Sequence, residues 1–175
     1  MIRAANLGVH QSGHGPELLV ADPADPLLSH IGLVGDTYTV LVSGADTASR
    51  YCLIDMLIPP GVGPGPHRHD FEEMFTILQG EVEFTFRGDA RTVTAGQTVN
   101  IPANAPHFFR NVSDSEVRML CMCAPAGQEA FFAAVGDPVD SRTASAPLLE
   151  GEALEERMRQ FAELAPQYRT ELLPS

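Results

Sequence analysis

The stretch GVGPGPHRHDFEEMFTILQG, residues 61–80, sets two of the chain's six histidines one residue apart, ahead of two adjacent glutamates and an apolar run that ends in glycine. Read as an extended strand, it sends alternate side chains to opposite faces, so His67 and His69 point the same way with their imidazoles close together. Glu73 shares that parity and Glu72 does not, which selects Glu73 as the carboxylate partner as long as the strand runs unbroken past Asp70. Phe75 and Ile77 continue the same face as an apolar wall. A third imidazole, His107, follows Pro106 in APHFFRN, residues 105–111. Three neutral imidazoles and one carboxylate suit a single divalent transition metal ion, and the set does not choose among Fe, Mn, Ni, Cu and Zn.

The segments around this stretch read as short strands. TYTVLVSG, YCLIDMLI, VEFTFRG, RTVTAG, QTVNIP, HFFRN and VRMLCMC are β-branched and aromatic runs punctuated by Gly or Pro. Such spacing predicts an all-β sandwich or barrel. GADTAS reads as a turn. Two helical segments follow: GQEAFFAAVG, stopped by Gly136 as a left-handed cap, and EALEERMRQFAELA, with Leu154, Met158, Phe161 and Ala165 at helical spacing. The expected organisation is an irregular N-terminal arm over 1–30, a β-barrel over 31–125 and a helical extension over 126–175. The arm is expected to pack along the barrel or a neighbouring subunit.

The two histidine-bearing segments carry a family resemblance. GVGPGPHRHDFEEMFTILQG resembles the first cupin motif, G-x5-H-x-H-x3-E-x6-G, with Gly61, His67, His69, Glu73 and Gly80 at every fixed position. GQTVNIPANAPHFFRN resembles the second, G-x5-P-x-G-x2-H-x3-N, through Gly96, Pro102, His107 and Asn111. The motif's internal glycine is Asn104 here, a residue that tolerates left-handed backbone better than most. The resemblance implies a double-stranded β-helix, a small jelly-roll barrel, holding a metal inside on His67, His69, Glu73 and His107. Four protein ligands on a six-coordinate ion would leave two positions open. Among cupins the ligand set is similar to that of flavonol (quercetin) dioxygenases, in which the metal holds a deprotonated substrate and the glutamate serves as ligand or base. The implied function is a metal-dependent dioxygenase acting on a small chelating substrate, with Glu73 as the catalytic residue. The alternatives are an isomerase or lyase that uses Glu73 as base, and a small-molecule-binding cupin without turnover.

Strand parity points Phe75, Phe84, Phe86, Phe109 and Met119 inward as candidate substrate-pocket residues. Met74, Thr76 and Leu78 lie on the opposite face of their strand. Being mostly apolar, they call for cover from the N-terminal arm, the C-terminal helix or a second subunit, and a homodimer is expected. Asp55 is expected to point outward or to lie at an interface, and Arg68, Asp70 and Glu72 to surround the site without facing it. Cys121 and Cys123 share a strand face and read as small buried hydrophobes. His10 and His14 sit in a Gly-rich arm rather than on a helix, and the C-terminal helix reads as a lid, a dimerisation element or plain packing, with packing against the barrel as the default.

Charge excludes some partners. The chain has 11 basic residues, all arginine, against 23 acidic ones, a formal charge of -12. Scattered arginines without a basic patch argue against nucleic acid and acidic membranes, and the lack of lysine removes Schiff-base chemistry. The opening MIRAANLGVHQSGHG has no hydrophobic signal-type segment. With three cysteines in no framework spacing, it leads to the expectation of a cytoplasmic protein.

Overall fold

In the computed structural model, which describes residues 18–174, two antiparallel sheets stack face to face. The strands in chain order are β1 (His30–Leu33), β2 (Asp36–Val42), β3 (Cys52–Ile58), β4 (His67–His69), β5 (Glu72–Gln79) and β6 (Glu81–Phe86). They continue with β7 (Asp89–Thr94), β8 (Thr98–Ile101), β9 (His107–Arg110), β10 (Val117–Ala124), β11 (Asp137–Pro138) and β12 (Thr170–Leu172). The larger sheet has seven strands in the order β11-β1-β2-β3-β10-β5-β8, and the smaller has five in the order β12-β4-β9-β6-β7. This is the double-stranded β-helix that the two histidine motifs imply.

Period-2 patterning builds the core. In β10 burial alternates without exception, Val117, Met119, Cys121 and Cys123 pointing in while Arg118, Leu120 and Met122 point out. Ile54 and Met56 of β3 and Phe75 and Ile77 of β5 join them from the larger sheet, against Val82, Phe84 and Phe109 of the smaller one. Phe75, Phe84 and Phe109 meet with ring centroids 5.1–5.6 Å apart, in the tilted geometries that aromatic quadrupoles favour. Between β1 and β2, Val34 and Gly35 both have positive φ, the two-residue turn that matches strand twist.

The stretch 67–79 is not one strand. β4 belongs to the smaller sheet and β5 to the larger, with Asp70–Phe71 as the crossing between them. GADTAS contains a one-turn helix, α1 (Gly44–Thr47), closed by reciprocal contacts of Ser43 and Asp46. The other helices are α2 (Gln128–Val135) and α3 (Gly151–Leu164), the latter running into a 3₁₀ turn at Ala165–Tyr168. Gly136 ends α2 with extended rather than left-handed backbone, φ -100 and ψ 177. Glycine is needed there for close approach, since a Cβ would lie 2.3 Å from Ile31 Cγ2.

The C-terminal segment is woven into both sheets. β11 pairs with β1, and β12 pairs with β4. Between them, Ala146 packs on Gly32, Thr37 donates to the Ala144 carbonyl, and Arg142 reaches Asp55. Asp55 does face away from the core, yet it is buried, because Arg118 of β10 grips its carboxylate at 2.6–2.9 Å. The segment thus covers the outer face of β1–β3, whereas Met74, Leu120 and Met122 on β5 and β10 stay half-buried and Leu78 exposed. Leu18, Val20 and Leu27, ahead of β1, are exposed. The rest of the expected arm, with His10 and His14, lies outside the described residues. Among the described residues no helix is long and apolar enough to cross a membrane.

Candidate metal centre

His67 and His69 enter the barrel from β4, His107 from its neighbour β9, and Glu73 from β5 of the facing sheet. His67 and His107 are direct cross-strand partners, with ring centroids 4.3 Å apart. One donor atom from each of the four residues falls within 4.8 Å of all the others. His69, Glu73 and His107 are buried and His67 half-buried. The parity rule pointed to Glu73 as if on a continuous strand. It faces the imidazoles because both sheets turn these side chains toward the shared interior.

Each ring is held by its outer nitrogen. Nδ1 of His67, His69 and His107 lies 2.9, 3.0 and 2.9 Å from the carbonyls of Gly65, Phe71 and Ala105. Phe71 also stacks on His69 with centroids 3.9 Å apart. Carbonyls only accept, so each Nδ1 carries the proton and each neutral ring turns an unprotonated Nε2 inward. Yet Nε2 of His69 and of His107 lie 2.9 and 3.1 Å from the same Glu73 oxygen. Three acceptors crowded on one point require a cation among them, either extra protons or a metal. Donors about 2.1 Å from an ion and at right angles to one another lie roughly 3 Å apart, so the arrangement fits a metal. The turn carrying Asn104 supports the same strand. Asn104 has left-handed backbone, φ 64, and its N–H donates to the His69 carbonyl at 2.6 Å.

Charge and burial compete within the cluster. Burial alone would raise the Glu73 pKa, but where protons rather than an ion fill the cluster, Nε2–H groups of His107 and His69 donate to the carboxylate and hold it well below its usual range. Burial would lower the His69 pKa, and the Glu73 hydrogen bond reverses that to a raised value. His67 is lowered to about 4, chiefly by burial and then by the neighbouring His107. Behind Glu73, its other oxygen lies 3.3 Å from the Cys121 sulfur and 3.7 Å from that of Cys123. The two sulfurs are 3.7 Å apart and both thiols are buried. The Cys123 hydrogen bond draws the Cys121 thiol down, but burial and the Glu73 charge win and push it up to about 12. These thiols remain protonated donors to the carboxylate.

A cavity of about 280 Å³ opens onto His67 and Glu73. Phe75 and Phe109 line it, while Phe84, Phe86 and Met119 do not. Phe84 and Met119 are buried in the sheet-to-sheet core, and Phe86 is half-buried beside it. Sequence reasoning missed much of the wall, including Tyr38 and Asp36 from β2, Gln128, Phe131 and Phe132 from α2, and Met158 and Phe161 from α3. Only Asp36 and Tyr38 left a trace, an acid and a phenol on one strand face in DTYTV. α3 therefore walls the cavity rather than merely packing on the barrel. A larger open cleft, about 550 Å³, lies by β4 and β12. Its charged residues are already paired, Arg68 with Glu171 and Arg169 with Asp70.

Comparison with known proteins agrees with this geometry. Residues 54–123 match the family model described as "Cupin domain". The chain is 30% identical over 92 residues to "Polyketide synthase CurC" of Streptomyces cyaneus, covering 52% of this chain and 60% of that protein. It is 25% identical over 130 residues to "Quercetin 2,3-dioxygenase" of Bacillus subtilis, covering 73% of this chain and 37% of the relative. The chain thus spans less than two thirds of the length of either relative. A solved structure of a predicted oxalate decarboxylase from Thermotoga maritima superposes with a TM-score of 0.54 at 21% identity, over 61% of this chain and 99% of that one. That likeness concerns the fold alone. With the β-helix, both histidine motifs and the matched residues in agreement, residues 54–123 form a cupin domain.

Proposed function

We propose that the protein is a metal-dependent dioxygenase acting on a small chelating substrate with an enolic or flavonol-like pair of oxygens. The observation that carries this reading is the cavity that opens onto His67 and Glu73 and is otherwise lined mostly by apolar side chains, five of them phenylalanines. His67, His69, Glu73 and His107 would hold one divalent ion, and with a single carboxylate among them the site keeps a net positive charge that favours an anionic ligand. When bound, the ion would supply Lewis acidity, lowering the pKa of an enol or hydroxyl and so activating the substrate toward dioxygen. Phe75, Phe109, Phe131 and Phe132 would hold a flat ring and exclude water from it. Glu73 would take the substrate's proton. As a ligand it would be free to do so only when its own bond to the ion loosens. The likeness to a quercetin 2,3-dioxygenase supports the reading.

The proposal extends to a homodimer, supported by the half-buried apolar face of Met74, Leu120 and Met122, and to a reducing compartment, supported by the free, buried thiols of Cys52, Cys121 and Cys123. The test is elemental analysis of protein purified without added metal, then turnover of flavonols and β-diketones with and without oxygen. Oxygen-dependent consumption is expected. Full zinc occupancy with no turnover in either atmosphere would point instead to a binding protein, and turnover without oxygen to an isomerase or lyase.

A further inference from the structure

Glu73 divides its carboxylate between two kinds of partner. Oε2 meets the imidazoles of His69 and His107, while Oε1 meets, among the described residues, only the sulfurs of Cys121 and Cys123, at 3.3 and 3.7 Å. All three residues are buried, Glu73 at 3% exposure and both cysteines at 0%. A thiol is a weak donor, so two of them serve a buried carboxylate oxygen poorly. The chain has only three cysteines, and β10 places two of them here, one residue apart on its inward face. The third, Cys52, is the cross-strand partner of Cys123 on β3, as Glu73 is on β5. The oxygen thus sits in a sulfur-rich corner of the barrel.

We propose that Cys121, Cys123 and Glu73 Oε1 form a second metal site, for a thiophilic divalent cation of the zinc type, with the Glu73 carboxylate bridging it to the histidine cluster. The three donor atoms lie within 4.8 Å of one another. Two sulfurs about 2.3 Å from a tetrahedral ion lie about 3.8 Å apart, and each lies about 3.6 Å from an oxygen bound at ~2.1 Å. Here the sulfurs are 3.7 Å apart, and their distances to the oxygen, 3.3 and 3.7 Å, bracket the second value. Closed metal sites take their donors out of solvent, as here. Glu73 also lines the cavity of about 280 Å³, which gives an ion its approach to the carboxylate. Sulfur ligands favour such an ion over the harder iron or manganese. Binding exchanges two thiol protons for the ion: M²⁺ and two R–SH give M(SR)₂ and two H⁺, with no change of oxidation state. The inference goes beyond the function proposed above and does not need an ion on the histidine side.

The test titrates metal-free protein to saturation with cadmium, whose thiolate complexes absorb in the ultraviolet where its imidazole and carboxylate complexes do not. All three cysteines are buried, so no surface thiol competes. The thiolate band should develop together with proton release and a rise in melting temperature, since the ion binds the folded chain. The band should be lost when Cys121→Ser and Cys123→Ser are combined, and kept in His67→Ala, which removes one imidazole from the histidine cluster. Should the double variant not fold, Cys121→Ser alone should weaken cadmium binding about tenfold, or ~1.4 kcal/mol. No band in the native protein, a band that survives the cysteine substitutions, or one that comes with a fall in melting temperature overturns the inference. So does its loss in His67→Ala, because the sulfurs would then only assist an ion held by the histidines. Failure of the histidine cluster is read separately, as the absence of a cobalt(II) d–d band from the native protein, and leaves the sulfur site to be decided by the cadmium band.

Discussion

At the scale of single residues, the decisive feature is that three imidazoles are pinned by backbone carbonyls, with the free nitrogens of His69 and His107 meeting one Glu73 oxygen and a donor atom of His67 within 4.8 Å of the set. If these donors hold an ion, replacing His69 or His107 by Ala should lower the metal content of purified protein in elemental analysis, with the fold retained by circular dichroism. An unchanged metal content would refute the assignment. Asp36 gives a pH signature of its own. Its folded-state value, about 7, lies above the ordinary 3.8, so between these values the native state keeps a proton that the unfolded chain has released. Its contribution to stability is present at low pH and is lost as pH rises through about 7. Asparagine does not titrate and can still accept from Tyr38. The stability of the wild type minus that of Asp36→Asn should therefore fall by about 2–4 kcal/mol from pH 4 to pH 8, read from urea titrations. A flat difference would show that the carboxyl is not held in an apolar setting.

At the scale of elements, the site depends on how closely the loop before β4 lies against β9. A Cβ on Gly63 would sit 2.2 Å from the Phe109 carbonyl oxygen, and the residue's φ is +155. Gly63→Ala should cost about 1–3 kcal/mol by denaturant melting, the range for forced overpacking. Strand parity and the spacing of histidines made the four donors readable, because those signals are local. The crossing at Asp70–Phe71 was not readable, since HDFEEMF alternates through it as a single strand would. Parity also could not sort the inward side chains. Between two stacked sheets, inward means either core, as for Phe84 and Met119, or cavity wall, as for Phe75 and Phe109. The far wall comes from α2 and α3, whose Phe131 and Phe161 meet edge to face at 4.8 Å. That contact joins segments remote from the motifs, and no local pattern announces it.

At the scale of the whole molecule, the outer face of the larger sheet is divided. Residues following β11 cover β1 to β3 through Thr37, Gly32 and Asp55, and leave Met74, Leu78, Leu120 and Met122 with partial cover or none. If a second copy completes that face, Met122→Glu should shift sedimentation from dimer to monomer without altering metal content, while a wild type that sediments as a monomer would dismiss the dimer. The border of the histidine-bearing strand is a further matter. β4 is flanked on one side by β12, the last strand described, with Thr170 opposite His69 and the Leu173 N–H bonded to the Pro66 carbonyl. A three-residue strand at a sheet edge is paired on one side only and opens readily, and each such excursion would uncover the imidazole doublet. Ion exchange with solvent and protease nicking near residue 170 should then rise and fall together with temperature, since both would be gated by the same unzipping.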